Sequence, residues 1–61
     1  MEANISVKMD NAAFVEDPNP NYELGRILKE LGERLMRGRT QERLYDYNGN
    51  FVGTLEITER D

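Results

Sequence analysis

The chain contains no cysteine, no histidine and no tryptophan. Lacking the first two, it has no disulfide, no thiolate and none of the usual zinc ligand sets. The commonest general base and the strongest side-chain nucleophile are missing as well, so catalysis would have to rest on carboxylates. The near pairs, Glu16 with Asp17 and Glu30 with Glu33, read as solvated surface charge. No glycine-rich phosphate loop is present, because the glycines of "LGRILKELGERL" fall inside a helical pattern. No apolar run approaches the roughly 20 residues of a membrane span, and "MEANISVKMD" lacks the basic and apolar regions of a signal peptide. At 61 residues there is little room for a substrate pocket of roughly 300 Å³ or more. These absences predict a non-enzyme, soluble and cytoplasmic, without cofactor, metal or membrane contact.

What is present must fold as one small domain spanning residues 1–61. A chain this short hides only about 60% of the surface its unfolded form exposes. With disulfides and zinc excluded, tight packing or a second subunit must compensate, and a homodimer is expected. The net charge is −4, with acidic ends flanking a basic middle that holds Arg26, Lys29, Arg34, Arg37, Arg39 and Arg43. An acidic total disfavours general nucleic-acid binding, whose affinity scales with the cations supplied.

"NISVKMD" alternates, with Ile5, Val7 and Met9 on one face, and predicts a strand over about 4–10. The loop 11–19 carries Asp-Pro and Asn-Pro steps that oppose regular structure, yet Phe14 within it is expected to plug one end of the core. Leu24, Ile27, Leu28, Leu31 and Leu35 form one apolar stripe and predict a helix over about 20–37. Asn19 with Pro20 supplies the N-terminal signal, Asn21 is a competing cap, and Gly38 is the stop. Glu23 near the start and Arg34 and Arg37 near the end complement the helix dipole. Gly25 and Gly32 each cost about 1 kcal/mol inside a helix. Something is therefore expected to approach closely there, either the sheet backbone or a second copy of the helix.

The remainder, about 41–47 and 50–58, reads as a hairpin. Asn48-Gly49 suits a two-residue type I′ turn, which opposes Tyr45 to Val52 and Leu44 to Gly53. That register puts Leu44, Phe51, Leu55 and Ile57 on one side with Asp46, and Arg43, Tyr45, Tyr47, Val52 and Thr54 on the other. The predicted fold is α+β, in β-α-β-β order, with one amphipathic helix on a three-stranded, mostly antiparallel sheet of order 1-3-2. Because one helix covers one face, Tyr45, Tyr47, Val52 and Arg43 become the candidate partner-binding residues.

Asp46, Asn48 and Asn50 alternate as calcium ligands do, but Phe51 and Ile57 stand where an EF-hand needs glycine and glutamate. Asp46 is instead expected to accept hydrogen bonds from turn amides. The basic segment offers an alternative function. Arg37, Arg39 and Arg43, with Tyr45 and Tyr47, would suit single-stranded nucleic acid.

The arrangement "MDNAAF", then "ELGRILKELGERL", then "YDYNGNFVG" resembles a family of very small, mostly uncharacterised proteins of phage and prophage genomes. In that family an apolar strand leads into Asp-Asn-Ala-Ala-Phe, followed by an "ELARIL"-like helix and a "D-x-NGN-x-VG" hairpin. Gly25 and Gly32 stand where the usual form has alanine. The resemblance brings no activity and no functional residues. It implies a mobile-element setting, in which small acidic proteins bind and block host machinery, defence systems included.

Overall fold

The computed structural model describes residues 1–16 and 18–59. Strand β1 (Glu2–Val7) leads through a one-turn helix α1 (Ala12–Val15) to the main helix α2 (Pro20–Leu35), and the chain ends in the hairpin β2 (Gln41–Tyr45) and β3 (Phe51–Thr58). The three strands form one antiparallel sheet in the order β1-β3-β2. This is the predicted α+β arrangement. β3, the longest strand, takes the centre and pairs with both neighbours. Asp17, and with it the Glu16–Asp17 pair, lies outside the described residues.

The expected 11–19 loop is not all loop. Ala12–Val15 closes a helical turn, with the Val15 amide donating to the Asn11 carbonyl at 3.1 Å. This turn aims Phe14 inward, where it is completely buried among Ala13, Ile27, Leu31, Leu44, Val52 and Leu55. A fully buried Phe contributes about 2–3 kcal/mol by area, a large share for so few core residues. Helix α2 starts as expected. Asn19 Oδ1 accepts from the Asn21 amide at 3.1 Å, and Pro20 takes the first helical position, where no amide is needed. The helix stops two residues earlier than predicted, and Gly38 follows with φ of +92°.

The buried row of α2 is Glu23, Ile27 and Leu31, not the centre of the leucine stripe. Leu24 and Leu35 are only partly buried against the core, and Leu28 is 38% exposed. The helix is thus rolled so that one apolar flank looks past the sheet. Ile5, expected inside, is likewise 48% exposed, because β1 is an edge strand that α2 does not seal. The sheet backbone does not make the close approach expected at Gly25 and Gly32. Among the described residues nothing lies within 4 Å of a Cβ at either position. The constraint falls on Gly53, which sits between Val7 and Leu44. A Cβ there would meet the Ser6 carbonyl oxygen at 1.9 Å. No helix among the described residues is long and apolar enough to cross a membrane.

Candidate functional site

The hairpin carries the candidate site, and its turn differs from the expected one. The Gly49 amide donates to the Asp46 carbonyl and the Asp46 amide to the Asn50 carbonyl, each at 3.0 Å. Of the turn residues only Gly49 has positive φ, +84°, whereas a type I′ turn requires it at Asn48 too. Three residues, 47–49, therefore form the loop. Leu44 still opposes Gly53 and Arg43 still opposes Thr54, but Tyr45 opposes Phe51. Val52 is the extra residue of a bulge.

That single extra residue exchanges two side chains. Val52, expected on the open face beside Tyr45 and Tyr47, is buried in the core. Phe51, expected in the core, is 52% exposed. Its ring stands edge-on to Tyr45, with centroids 6.0 Å apart at 68°. The Arg43 guanidinium lies 4.6 Å from the Phe51 centroid, within cation–π range. Tyr45 is 46% exposed and Tyr47, at the turn, 60%. Of the four residues predicted to bind a partner, Arg43, Tyr45 and Tyr47 stay outside. Val52 does not, and Phe51 takes its place.

Two buried carboxylates hold this hairpin. Asp46 Oδ1 accepts from the amides of Asn48 and Asn50, each at 2.9 Å. Its Oδ2 accepts from Asn11 Nδ2 at 2.7 Å and Asn50 Nδ2 at 3.2 Å. Burial pushes the Asp46 carboxyl upward, but the bonds from Asn50, Asn48 and Asn11 together outweigh it and lower the pKa. The expected turn role of Asp46 therefore holds, and Asn11 adds a contact from the opposite end of the chain.

Glu23 was expected only to complement the helix dipole. It is buried, and it accepts from Arg26 Nε at 2.7 Å and Nη2 at 2.8 Å, and from the Tyr47 amide at 2.8 Å. The Arg26 bond lowers the Glu23 pKa, burial opposes it, and the Tyr47 amide lowers it further. The Glu23 bond raises the pKa of Arg26 against the effect of burial, and the bond to Glu30 at 2.6 Å raises it further. The start of α2 is thus bolted to the backbone of the turn that carries Tyr47. A signal was present in the sequence, since Glu23 lies four and eight residues before Ile27 and Leu31, on the same row.

The basic segment is not assembled into one surface. Arg34 and Arg39 both reach Glu42, the latter at 3.5 Å. Arg43 lies over Phe51, and Arg37 is exposed just after the end of the helix. Both buried carboxylates face several donors and stay ionised, an arrangement that fixes geometry and is unsuited to moving a proton near neutral pH. No family model, no curated protein and no solved structure matches this chain.

Proposed function

We propose that the chain is a non-enzymatic protein-binding module whose contact surface is Arg43, Tyr45, Tyr47 and Phe51. The observation that carries the reading is the joint exposure of three aromatic rings and an arginine on a hairpin tied down by Glu23 and Asp46. Tyr, Phe and Arg are enriched at protein interfaces, and a rigid presentation reduces the ordering cost of binding. In the setting that the phage-family resemblance implies, the partner is a host protein whose working surface is occluded, a defence component included. The ion pairs of Glu42 with Arg34 and Arg39 reduce the charge that the basic segment could offer a phosphate backbone, so protein is favoured over nucleic acid.

The test compares the wild-type chain with the Tyr45→Ala/Tyr47→Ala/Phe51→Ala variant as immobilised bait for host proteins. The expected result is loss of the specifically retained protein while circular dichroism keeps its helical signal. Retention of the same protein by the variant overturns the reading. Salt-dependent binding of single-stranded oligonucleotide by the wild type at low ionic strength would transfer the surface to the nucleic-acid alternative.

A further inference from the structure

We propose that β1 is a self-recognition edge, pairing antiparallel with β1 of a second copy to form one six-stranded sheet. β1 lies at the margin of the sheet with only β3 beside it. The Lys8 amide donates to the Val52 carbonyl at 2.8 Å, and the Ser6 carbonyl also points at β3, close against Gly53. Backbone groups alternate sides along an antiparallel strand. Those of the even residues are therefore directed at β3, and those of Ala3, Ile5 and Val7 off the edge.

The sequence of this edge is complementary to itself. Antiparallel pairing centred on Ile5 sets Ile5 against Ile5 of the second copy, Ala3 against Val7, Asn4 against Ser6 and Glu2 against Lys8. The pairs made by Ala3, Ile5 and Val7 are the hydrogen-bonded ones, matching the groups the edge presents. Both ends then close on opposite charges, and every cross-strand pair is matched in character. No charged residue or proline lies between Ala3 and Val7 to discourage pairing. The other edge, β2, carries Glu42 and Arg43 and ends in the irregularity at Leu44 and Tyr45, so it is protected.

The side chains beside the edge point to the same occupant. Ile5, Val7, Met9, Leu24 and Leu28 line an apolar groove between β1 and α2, continuous with the core, in which Ile5 and Leu28 stay half-exposed. A two-fold through Ile5 brings the grooves of the two copies together on one face of the joined sheet, covering Ile5 with its own counterpart. The Arg43, Tyr45 and Phe51 face lies toward the opposite margin and stays free in each copy.

Sedimentation equilibrium over a concentration series tests this. The wild type is expected to show a species of twice the 7.1 kDa chain mass that dissociates on dilution. Ile5→Lys, which alters an already half-exposed position, should be monomeric at concentrations where the wild type is dimeric. Glu2→Lys and Lys8→Glu alone should each weaken dimerisation, by about three- to tenfold for two symmetry-related charge pairs. The Glu2→Lys/Lys8→Glu double variant should restore it. A wild type that is monomeric throughout overturns the proposal. So does a double variant no tighter than the singles, which would deny this register even if Ile5→Lys failed to fold.

Discussion

The two flanks of α2 meet the sheet in different ways. Toward β2 and the turn, the helix presents Glu23, Arg26, Glu30 and Arg34, engaged with one another, with Glu42 and with the Tyr47 amide. Toward β1 it presents Leu24 and Leu28 over Ile5, Val7 and Met9, with Leu28 and Ile5 still half in solvent. Charge-assisted hydrogen bonds are directional, so the first flank fixes the orientation of the hairpin against the helix. Apolar contact is not directional and scales with area, so the second flank can accept more surface if any is offered. One helix cannot seal three strands. This chain uses its polar contacts where geometry matters and leaves apolar surface where a neighbour can add to it.

The sharpest way to break that division is at the seam between the flanks. Gly53→Ala places a methyl group where the Ser6 carbonyl stands. Because that obstacle is backbone, the loss should reach or exceed the top of the roughly 1–3 kcal/mol seen for ordinary overpacking, and chemical denaturation should show β1 released or the fold lost. Glu23→Ala comes next. It strips a partner from Arg26 and from the Tyr47 amide, for an expected cost of about 2–3 kcal/mol, reduced from the buried-pair range because Arg26 is partly solvated.

Acid should act on the same flank without mutation. The Glu23 and Asp46 pKa values are lowered on folding, so the unfolded chain binds more protons as the pH falls past their ordinary values of 4.5 and 3.8. Their stabilisation is complete above that range and drains below it, and Glu23→Gln should make the stability-against-pH curve shallower there. An unchanged curve would show that the Glu23 contacts do not persist in solution. Smallest of all is Glu42→Thr. The Glu42 carboxylate is mostly covered but its partners Arg34 and Arg39 stay partly in solvent, so the loss should cost about 1–2 kcal/mol, and it takes an acid off the β2 edge. If charge is what distinguishes the two edges, this variant should form species larger than a dimer, while an unaltered mass distribution would place the protection in the bulge instead.

The architecture was legible because it rests on periodicity and turn chemistry. The leucine spacing, Asn19-Pro20 and the alternating runs led to the main helix, the three strands and their order, though not to the one-turn helix α1. Phe14 was legible as a plug because an apolar cluster is out of place in a free loop. The patch was legible only in part. Face assignment along a hairpin depends on counting in twos from the turn, so an error of one residue in the loop inverted Phe51 and Val52. Asp46 and Gly49, as the first and fourth residues of a turn, carried the correct answer, but Asn-Gly carried a competing one. The tie made by Glu23 was hidden for another reason. Its place on the Ile27 and Leu31 row marks it as inward-facing, but its partner is the backbone amide of Tyr47, and any residue but proline supplies an amide, so no sequence pattern marks that contact.

The ties at the hairpin tip bear on how this chain reaches its fold. Asn11 meets Asp46 across 35 positions and Glu23 meets the Tyr47 amide across 24. Neither bond can form inside the hairpin itself, and both need segments that come earlier in the chain to have arrived. The local bonds among residues 46–50 can close the turn by themselves, but these two ties cannot be made until the earlier segments are in place. A fragment holding only residues 41–58 should populate its turn weakly, and in the intact protein the loop, the one-turn helix and the start of the long helix should be gained and lost together. The aromatic surface that the tip carries is held in full only when Asn11 and Glu23 are in place, so binding through it should report on the integrity of residues far from the contact.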